Sequence, residues 1–238
     1  MTSKSSEPIA DALAEALRRC SDMDASLAER LQAFAGEVRR FRPEFQDAVD
    51  DLVARLRDND AGKGAPAPGD TMPPFLLPDD AGHLVALEEL LRQSPIAITF
   101  HRGHWCPYCR INIRALARAQ QAIPPEAGQI IAIMPERQQF SAELKSDAEV
   151  PFPILTDMDN GYAMSLNLAI WVGPDLERMM ANFGRRLPDY QGNDSWMLPI
   201  PATFIVGTDS RVTARFVDPD YRKRMDIEDM LAALRAAS

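Results

Sequence analysis

The residues of this chain best suited to chemistry are Cys106 and Cys109, two residues apart in FHRGHWCPYCRINIR (residues 100–114). A thiolate attacks disulfides and peroxides, and a second cysteine within reach can close the product to a disulfide. The β-branched run PIAITFH (residues 95–101) reads as a strand entering a turn at Gly103, with a helix after it whose first turn holds Pro107, where a missing N–H costs nothing. Cys106 therefore falls at or beside a helix N-cap, where unpaired N–H groups and the positive dipole end favour an anion. Lowering a thiol pKa from ~8.5 to ~7 takes about 2 kcal/mol. The dipole supplies roughly 0.3–2 kcal/mol of that, and Arg102, Arg110 and Arg114 are near enough in sequence to add the rest if they point inward. Cys109, one turn further on, can reach the same sulfur. Two rivals stand beside this redox reading: a pair of buried thiols acting as small hydrophobes, and zinc held by His101, His104, Cys106 and Cys109. Structural zinc joins two ligand pairs across a longer loop, and here no distant pair exists; His101 also sits on a strand that need not converge with the helix start. Metal, flavin and nucleotide motifs are all missing, so no cofactor is expected and the thiols themselves carry the electrons.

Positioning these thiols takes an alternating pattern. Strand candidates are Phe75–Leu77, Pro95–His101, Gln129–Met134, Ala202–Val206 and Val212–Phe216; helix candidates are Val85–Arg92, Pro107–Ile123, Arg137–Ala148, Tyr162–Leu168, Pro174–Phe183 and Ile227–Ala237. Short strands separated by helical segments predict an α/β sandwich with a partly parallel sheet. The last two strands meet in a hairpin turn at Gly207–Ser210, which makes the sheet mixed. Before residue 60 the chain has no strand-like run. Leu27, Leu31, Phe34, Val38, Phe41, Phe45, Val49, Leu52 and Leu56 recur at the spacing of amphipathic helices, broken near residues 22–25 and at Pro43. AGKGAPAPGD (residues 61–70) is a turn-rich linker. The expected division is a helical extension with its linker at 1–66 and an α/β domain at 67–238. The helices serve as a packing appendage or a dimer contact, leaving a homodimer open.

Composition narrows the field. Of 238 residues, 26 are Lys or Arg and 35 Asp or Glu, a net charge of −9; that excludes nucleic acid or anionic lipid as partners held by bulk charge. No apolar run approaches the ~20 residues of a membrane helix. The start MTSKSSEPIADALAEALRRC has neither a continuous apolar stretch nor a cleavage pattern, so a cytoplasmic protein is expected. Three cysteines, Cys20 among them, do not make a disulfide scaffold. Cys20 reads as a packed thiol, with intermolecular resolution as the minority view.

Residues 69–238 resemble the peroxiredoxin-like, AhpC/TSA-type branch of the thioredoxin fold. The resemblance rests on GDTMPPFLLPDDAGHLVALEEL, which is similar to that family's entry hairpin, on FPILTDMDNGYAMSLNL before a helix, and on IPATFIVGTDSRV as its late strand–turn–strand. RGHWCPYC with WMLPIPATFIV resembles a subgroup carrying CxxC. The resemblance implies a thiol-dependent antioxidant enzyme that reduces hydrogen peroxide or alkyl hydroperoxides through a Cys106–Cys109 disulfide, with a thioredoxin- or glutathione-type thiol as electron donor. Two departures are visible. The family reads Phe-x-Pro-x-x-x-Thr-x-x-Cys, and counting from Phe100 places Arg102 at the proline, Cys106 at the threonine and Cys109 at the peroxidatic cysteine. The pocket arginine usual before the late strand is replaced by Ile200-Pro201, with Arg102 and Arg215 as substitutes.

Both departures are similar to thioredoxin, in which a cis-proline packs opposite the CxxC. Pro201 matches that position, and before proline the cis form costs only about 0.5–1 kcal/mol, so Pro201 is expected cis. This supports the alternative, a thiol–disulfide oxidoreductase acting on protein or glutathione disulfides; a third reading is a non-catalytic redox sensor whose helices dock a partner. Thioredoxin logic gives the first attack to Cys106, the better exposed of the two, and peroxiredoxin register gives it to Cys109. Trp105 lids the active surface, Tyr108 offers a hydroxyl to a peroxide or packs, and His104 is a proton shuttle or an exposed loop residue. Glu136, after the central strand, is a candidate proton acceptor. QGNDSWMLP and DPDYRKR are polar loops that rim the site.

Overall fold

A computed structural model describes residues 7–124 and 126–237; the first six residues of the expected helical extension lie outside them. The chain opens with three helices, α1 (Glu7–Asp22), α2 (Leu27–Phe41) and α3 (Pro43–Asp58). Their breaks have local causes. Ser26 caps α2 in a reciprocal box, its hydroxyl accepting from Glu29 N–H at 3.3 Å while the Glu29 carboxylate accepts from Ser26 N–H at 2.9 Å. Pro43 occupies the first turn of α3, so Arg42 ends one helix and begins the next. Buried Arg30 donates to the carbonyls of Cys20 (3.1 Å) and Ser21, tying off the end of α1.

A short hairpin follows, β1 (Leu76–Pro78) and β2 (Leu84–Ala86), and then α4 (Leu87–Leu91). The expected helix Val85–Arg92 is thus shorter: its first residues are held extended by pairing with β1. The central layer comprises β3 (Ile96–Phe100), β4 (Gln129–Met134), β5 (Ile154–Thr156), β8 (Ala202–Val206) and β9 (Val212–Val217), in the order β5-β4-β3-β8-β9. β5, β4 and β3 are parallel, and β8 and β9 antiparallel. Strand β5 had no place among the expected strands, because three residues carry no readable period. Every residue of β3 is buried. Ile96, Ile98 and Phe100 pack on one face with Phe204 and Leu155, and Ala97 on the other with Ile113 and Leu116, the period-two division of a strand covered on both sides.

Helix α5 (Pro107–Gln121) follows β3, and α6 (Gln138–Asp147) follows β4. After β5 come α7 (Gly161–Ser165), shorter than the expected Tyr162–Leu168, then β6 (Ala169–Trp171), α8 (Pro174–Asn182), α9 (Leu187–Gln191) and β7 (Met197–Pro199); β6 and β7 form a small antiparallel ribbon. Helix α10 (Ile227–Ala236) closes the chain. The whole is a mixed α/β sheet flanked by helices, the thioredoxin-like architecture. The N-terminal helices are not set apart from it: Leu31, Phe34, Val38, Val49 and Leu52 share one apolar cluster with Cys106, Tyr108, Cys109 and Leu187. Among the described residues no helix is long and apolar enough to cross a membrane.

Candidate active site

Cys106 is the N-cap of α5, in extended backbone at φ −87°, ψ 114°, with Pro107 behind it. The loop before it is locked by a buried acid. Glu136, at the exit of β4 and fully buried, accepts from His104 N–H at 2.6 Å and pairs with His104 Nδ1 at 2.9 Å. Burial raises the Glu136 pKa against the opposing pull of His104. The His104 ring stacks on Phe140 at 4.8 Å and meets Tyr190 edge-on, so His104 is a mostly buried clamp, not an exposed loop residue. Trp105 stacks on Tyr190 and borders the cavity beside Cys106. Gly103 permits this crossing. At φ +139°, a Cβ there would lie 2.6 Å from the Glu136 carboxyl and 2.6 Å from Trp105 Nε1. Gly103→Ala is expected to cost about 1–3 kcal/mol and to loosen the loop; thermal melts and the thiol pKa of the variant check this.

The two thiols are free and buried, Cys106 at 1% and Cys109 at 0% exposure. The expectation that Cys106 is the better exposed is corrected in this sense: what separates them is that Cys106 lines a cavity while Cys109 lies behind it. Burial alone would push the Cys106 pKa up. Hydrogen bonding from Cys109 and the charge of Arg102, with Arg224 adding to it, bring it down to about 6. Cys109 is pushed the other way, to about 12, by burial and by its place next to the Cys106 anion. At neutral pH the pair is one thiolate and one thiol.

Arg102 points inward. Its guanidinium is buried over the Tyr221 ring at 3.8 Å and near Trp105 at 5.2 Å, and no carboxylate among the described residues pairs with it; the Cys106 anion is its counter-charge. Arg110 instead pairs with Asp147 at 3.3 Å. Arg215, the other substitute for the missing pocket arginine, is spent on the Ala65 and Pro66 carbonyls.

Three contributors had no expected role at the thiols: two lie in the rim loop DPDYRKR, and one was weighed only as a zinc ligand. Arg224 donates to Cys109 Sγ at 3.7 Å, and Tyr221 supports Arg102 and packs edge-on against Tyr108. Both lie in DPDYRKR, which Arg222 fastens to α3 through Asp50 at 2.6 Å. The third is His101. The Thr99 hydroxyl donates to Ile131 O at 2.8 Å, so it can only accept from His101 Nε2 at 3.0 Å. That places the imidazole proton on Nε2 and leaves Nδ1 a buried acceptor with no formal partner, adjoining the Cys109 thiol. Burial holds His101 neutral. The strand therefore does converge on the helix start, where His101 meets the Cys109 thiol; among the described residues no group of three or more His, Cys, Asp or Glu side chains is arranged to hold a metal ion.

Pro201 requires a correction. Every peptide bond among the described residues is trans. Ile200 N–H donates to Leu168 O at 2.7 Å, which keeps the chain extended from β7 into β8, and the residue before a proline prefers that conformation. Pro201 lines a small cleft with Arg102 and Tyr221 that Cys106 does not border.

These features define a thioredoxin-fold protein with a buried dithiol at the start of the helix after its central strand. Residues 68–215, more than half of the chain, match the model of the AhpC/TSA family, and the chain belongs to that family. The comparison with curated proteins finds no match. Among solved structures it is similar to peroxidoxin BcpB from Mycobacterium tuberculosis (20% identity, 73% of this chain and 99% of that one, TM-score 0.54). A yeast mitochondrial 1-Cys peroxiredoxin (15% identity, 69% and 73%, TM-score 0.53) and a mutant peroxiredoxin 6 from Arenicola marina (17% identity, 71% and 71%, TM-score 0.52) are similar as well. At these identities the likeness is one of fold.

Proposed function

We propose that the chain is a thiol peroxidase in which Cys106 attacks a small hydroperoxide and Cys109 resolves the product. The observation that carries this reading is the setting of the thiolate: Cys106 is almost wholly buried and opens only into a cavity of about 280 Å³ roofed by the N-terminal helices. A small molecule can enter there, whereas an extended strand of a disulfide-bearing protein has no exposed sulfur to meet. The peroxiredoxin fold of the similar structures agrees with it.

In the first step the Cys106 thiolate donates its electron pair to the terminal oxygen of the hydroperoxide. The O–O bond breaks, and the leaving alkoxide takes a proton from water to become an alcohol. Arg102 and Tyr108 both line the cavity, and the buried Tyr108 hydroxyl has no partner among the described residues; hydrogen bonds from them to the departing oxygen would stabilise its charge. In the second step Cys109 gives its proton to His101 Nδ1 and attacks the Cys106 sulfenic sulfur; the S–O bond breaks and the hydroxide leaves as water with that proton. A small external thiol of glutathione type, able to enter the same cavity, then returns two electrons to the Cys106–Cys109 disulfide by exchange.

The test is single-turnover oxidation of the fully reduced protein by peroxide, with disulfide formation followed by mass spectrometry. A rate orders of magnitude above that of free cysteine supports the reading. A rate equal to free cysteine overturns it and leaves disulfide exchange as the reaction to pursue. The second step has its own check: His101→Ala is expected to slow disulfide closure by about 10²-fold, so that a sulfenic acid trap captures Cys106 in high yield. An unaltered closure rate would remove His101 from the mechanism.

A further inference from the structure

Among the described residues the cavity over Cys106 is lined by four arginines, Arg42, Arg102, Arg110 and Arg185, and by no carboxylate, in a chain of net charge −9. Arg110 is paired with Asp147, and Arg102 faces the thiolate. Arg42 and Arg185 remain. Neither has a salt-bridge partner among the described residues, and they lie close enough for the charge of Arg185, after burial, to depress the pKa of Arg42. Arg42 sits at the α2–α3 junction with its guanidinium 4.0 Å from the centre of the Phe183 ring. Two like charges left together without a counter-ion repel each other unless an anion joins them. The rest of the lining is largely apolar and includes Leu13, Leu17, Phe34, Val38, Phe45 and Met180. Tyr108 lines the cavity too, and its buried hydroxyl has no partner among the described residues. One cavity thus combines a thiolate, an apolar wall and an unpaired cationic pair, with a volume near the lower edge of small-molecule sites.

We infer that the preferred substrate is an amphipathic hydroperoxide bearing a carboxylate, such as an oxidised fatty acid, whose chain lies between the N-terminal helices and α8 and whose carboxylate is held by Arg42 and Arg185. This rests on the peroxidase reading for its chemistry, but the subsite is a binding claim of its own. It also gives the N-terminal helices a task, since α1 and α2 form most of the apolar wall and Arg42 stands at the end of α2.

Two measurements test it separately from the chemistry. In the first, the reduced wild-type protein is oxidised by linoleic acid hydroperoxide and by its methyl ester. The free acid is expected to react at least about tenfold faster at subsaturating concentration, the scale of a charge-assisted hydrogen-bonded contact. In the second, binding of laurate to Cys106→Ser, which cannot react, is followed by calorimetry, and Arg42→Gln or the exposed Arg185→Gln in that background is expected to weaken it by about tenfold or more. Fast but equal rates for acid and ester, or laurate affinity unmoved by both arginine changes, would overturn the subsite. Arginine-dependent laurate binding without fast oxidation by any hydroperoxide would instead retain the subsite and remove the peroxidase.

Discussion

Cys106→Ser is expected to abolish the proposed peroxide reduction, and Cys109→Ser to stop it after one oxidation; no other changes in this protein are expected to have larger effects. The two sulfurs differ in protonation and in access. Cys106 has a pKa near 6 and borders the cavity, whereas Cys109, held near 12, is a thiol behind it. At pH 7 the first is about nine-tenths thiolate, against a few per cent for an ordinary cysteine of pKa ~8.5. Serine at 106 leaves no nucleophile at the cavity, and oxidation falls to the level of chemical background, a loss of several orders of magnitude. Serine at 109 removes the resolving sulfur but keeps a hydroxyl that can donate to the anion, so one equivalent of peroxide is consumed and a sulfenic acid accumulates. Intact-mass measurement after a single equivalent reads both outcomes. If instead Cys106→Ser keeps reacting and Cys109→Ser is inert, the order of attack is reversed and the peroxiredoxin register, with Cys109 at the peroxidatic place, is the correct one.

Arg102→Gln should lower the peroxide rate at pH 7 by about 10- to 10²-fold. Its guanidinium is buried against Tyr221 and faces the Cys106 anion, with no carboxylate beside it. Removing the charge raises the Cys106 pKa from about 6 toward the ordinary value. The wild-type rate should rise through pH 6 and be flat above pH 7; the variant's should still be rising at pH 8. The part of the deficit due to ionisation disappears at pH 9, and whatever remains there measures the help Arg102 gives the leaving oxygen. The variant should fold, because replacing a buried charge that lacks a carboxylate partner removes a desolvation cost. Matching pH profiles for wild type and variant would show that Arg102 is a packing residue. Peroxide kinetics from pH 5 to 9, with thermal melts alongside, decide between these.

Most of the local architecture was legible from residue order. The apolar spacing from Leu27 to Leu56 delimits helices that break where Ser26 caps and Pro43 begins a turn. PIAITFH, QIIAIM and ATFIV are apolar, β-branched runs that become the three central strands. The placement of Cys106 at a helix N-cap follows from Gly103 before it and Pro107 after it, both backbone constraints that act over a few residues. What failed locally was short or shared: β5 and the β6–β7 ribbon have three residues per strand, and the start of the fourth helix was taken by a hairpin.

The sequence by itself therefore determined the strand–turn–helix unit and the dithiol at its turn, because propensity, capping and strand periodicity depend on neighbours a few positions away; it left open which sulfur attacks first. Tertiary structure decided what surrounds the sulfurs. Arg224 reaches Cys109 across 115 positions. Arg102 turns inward because Tyr221 offers its ring, and His101 meets Cys109 because Thr99 holds the imidazole from the other side. The N-terminal stripe, which could have served equally as an appendage or a dimer face, folds over the start of α5 and makes the cavity. Periodicity states that a helix face will be buried but not against which partner, and the sign of the charge left around a thiol depends on which remote side chains the packing brings there.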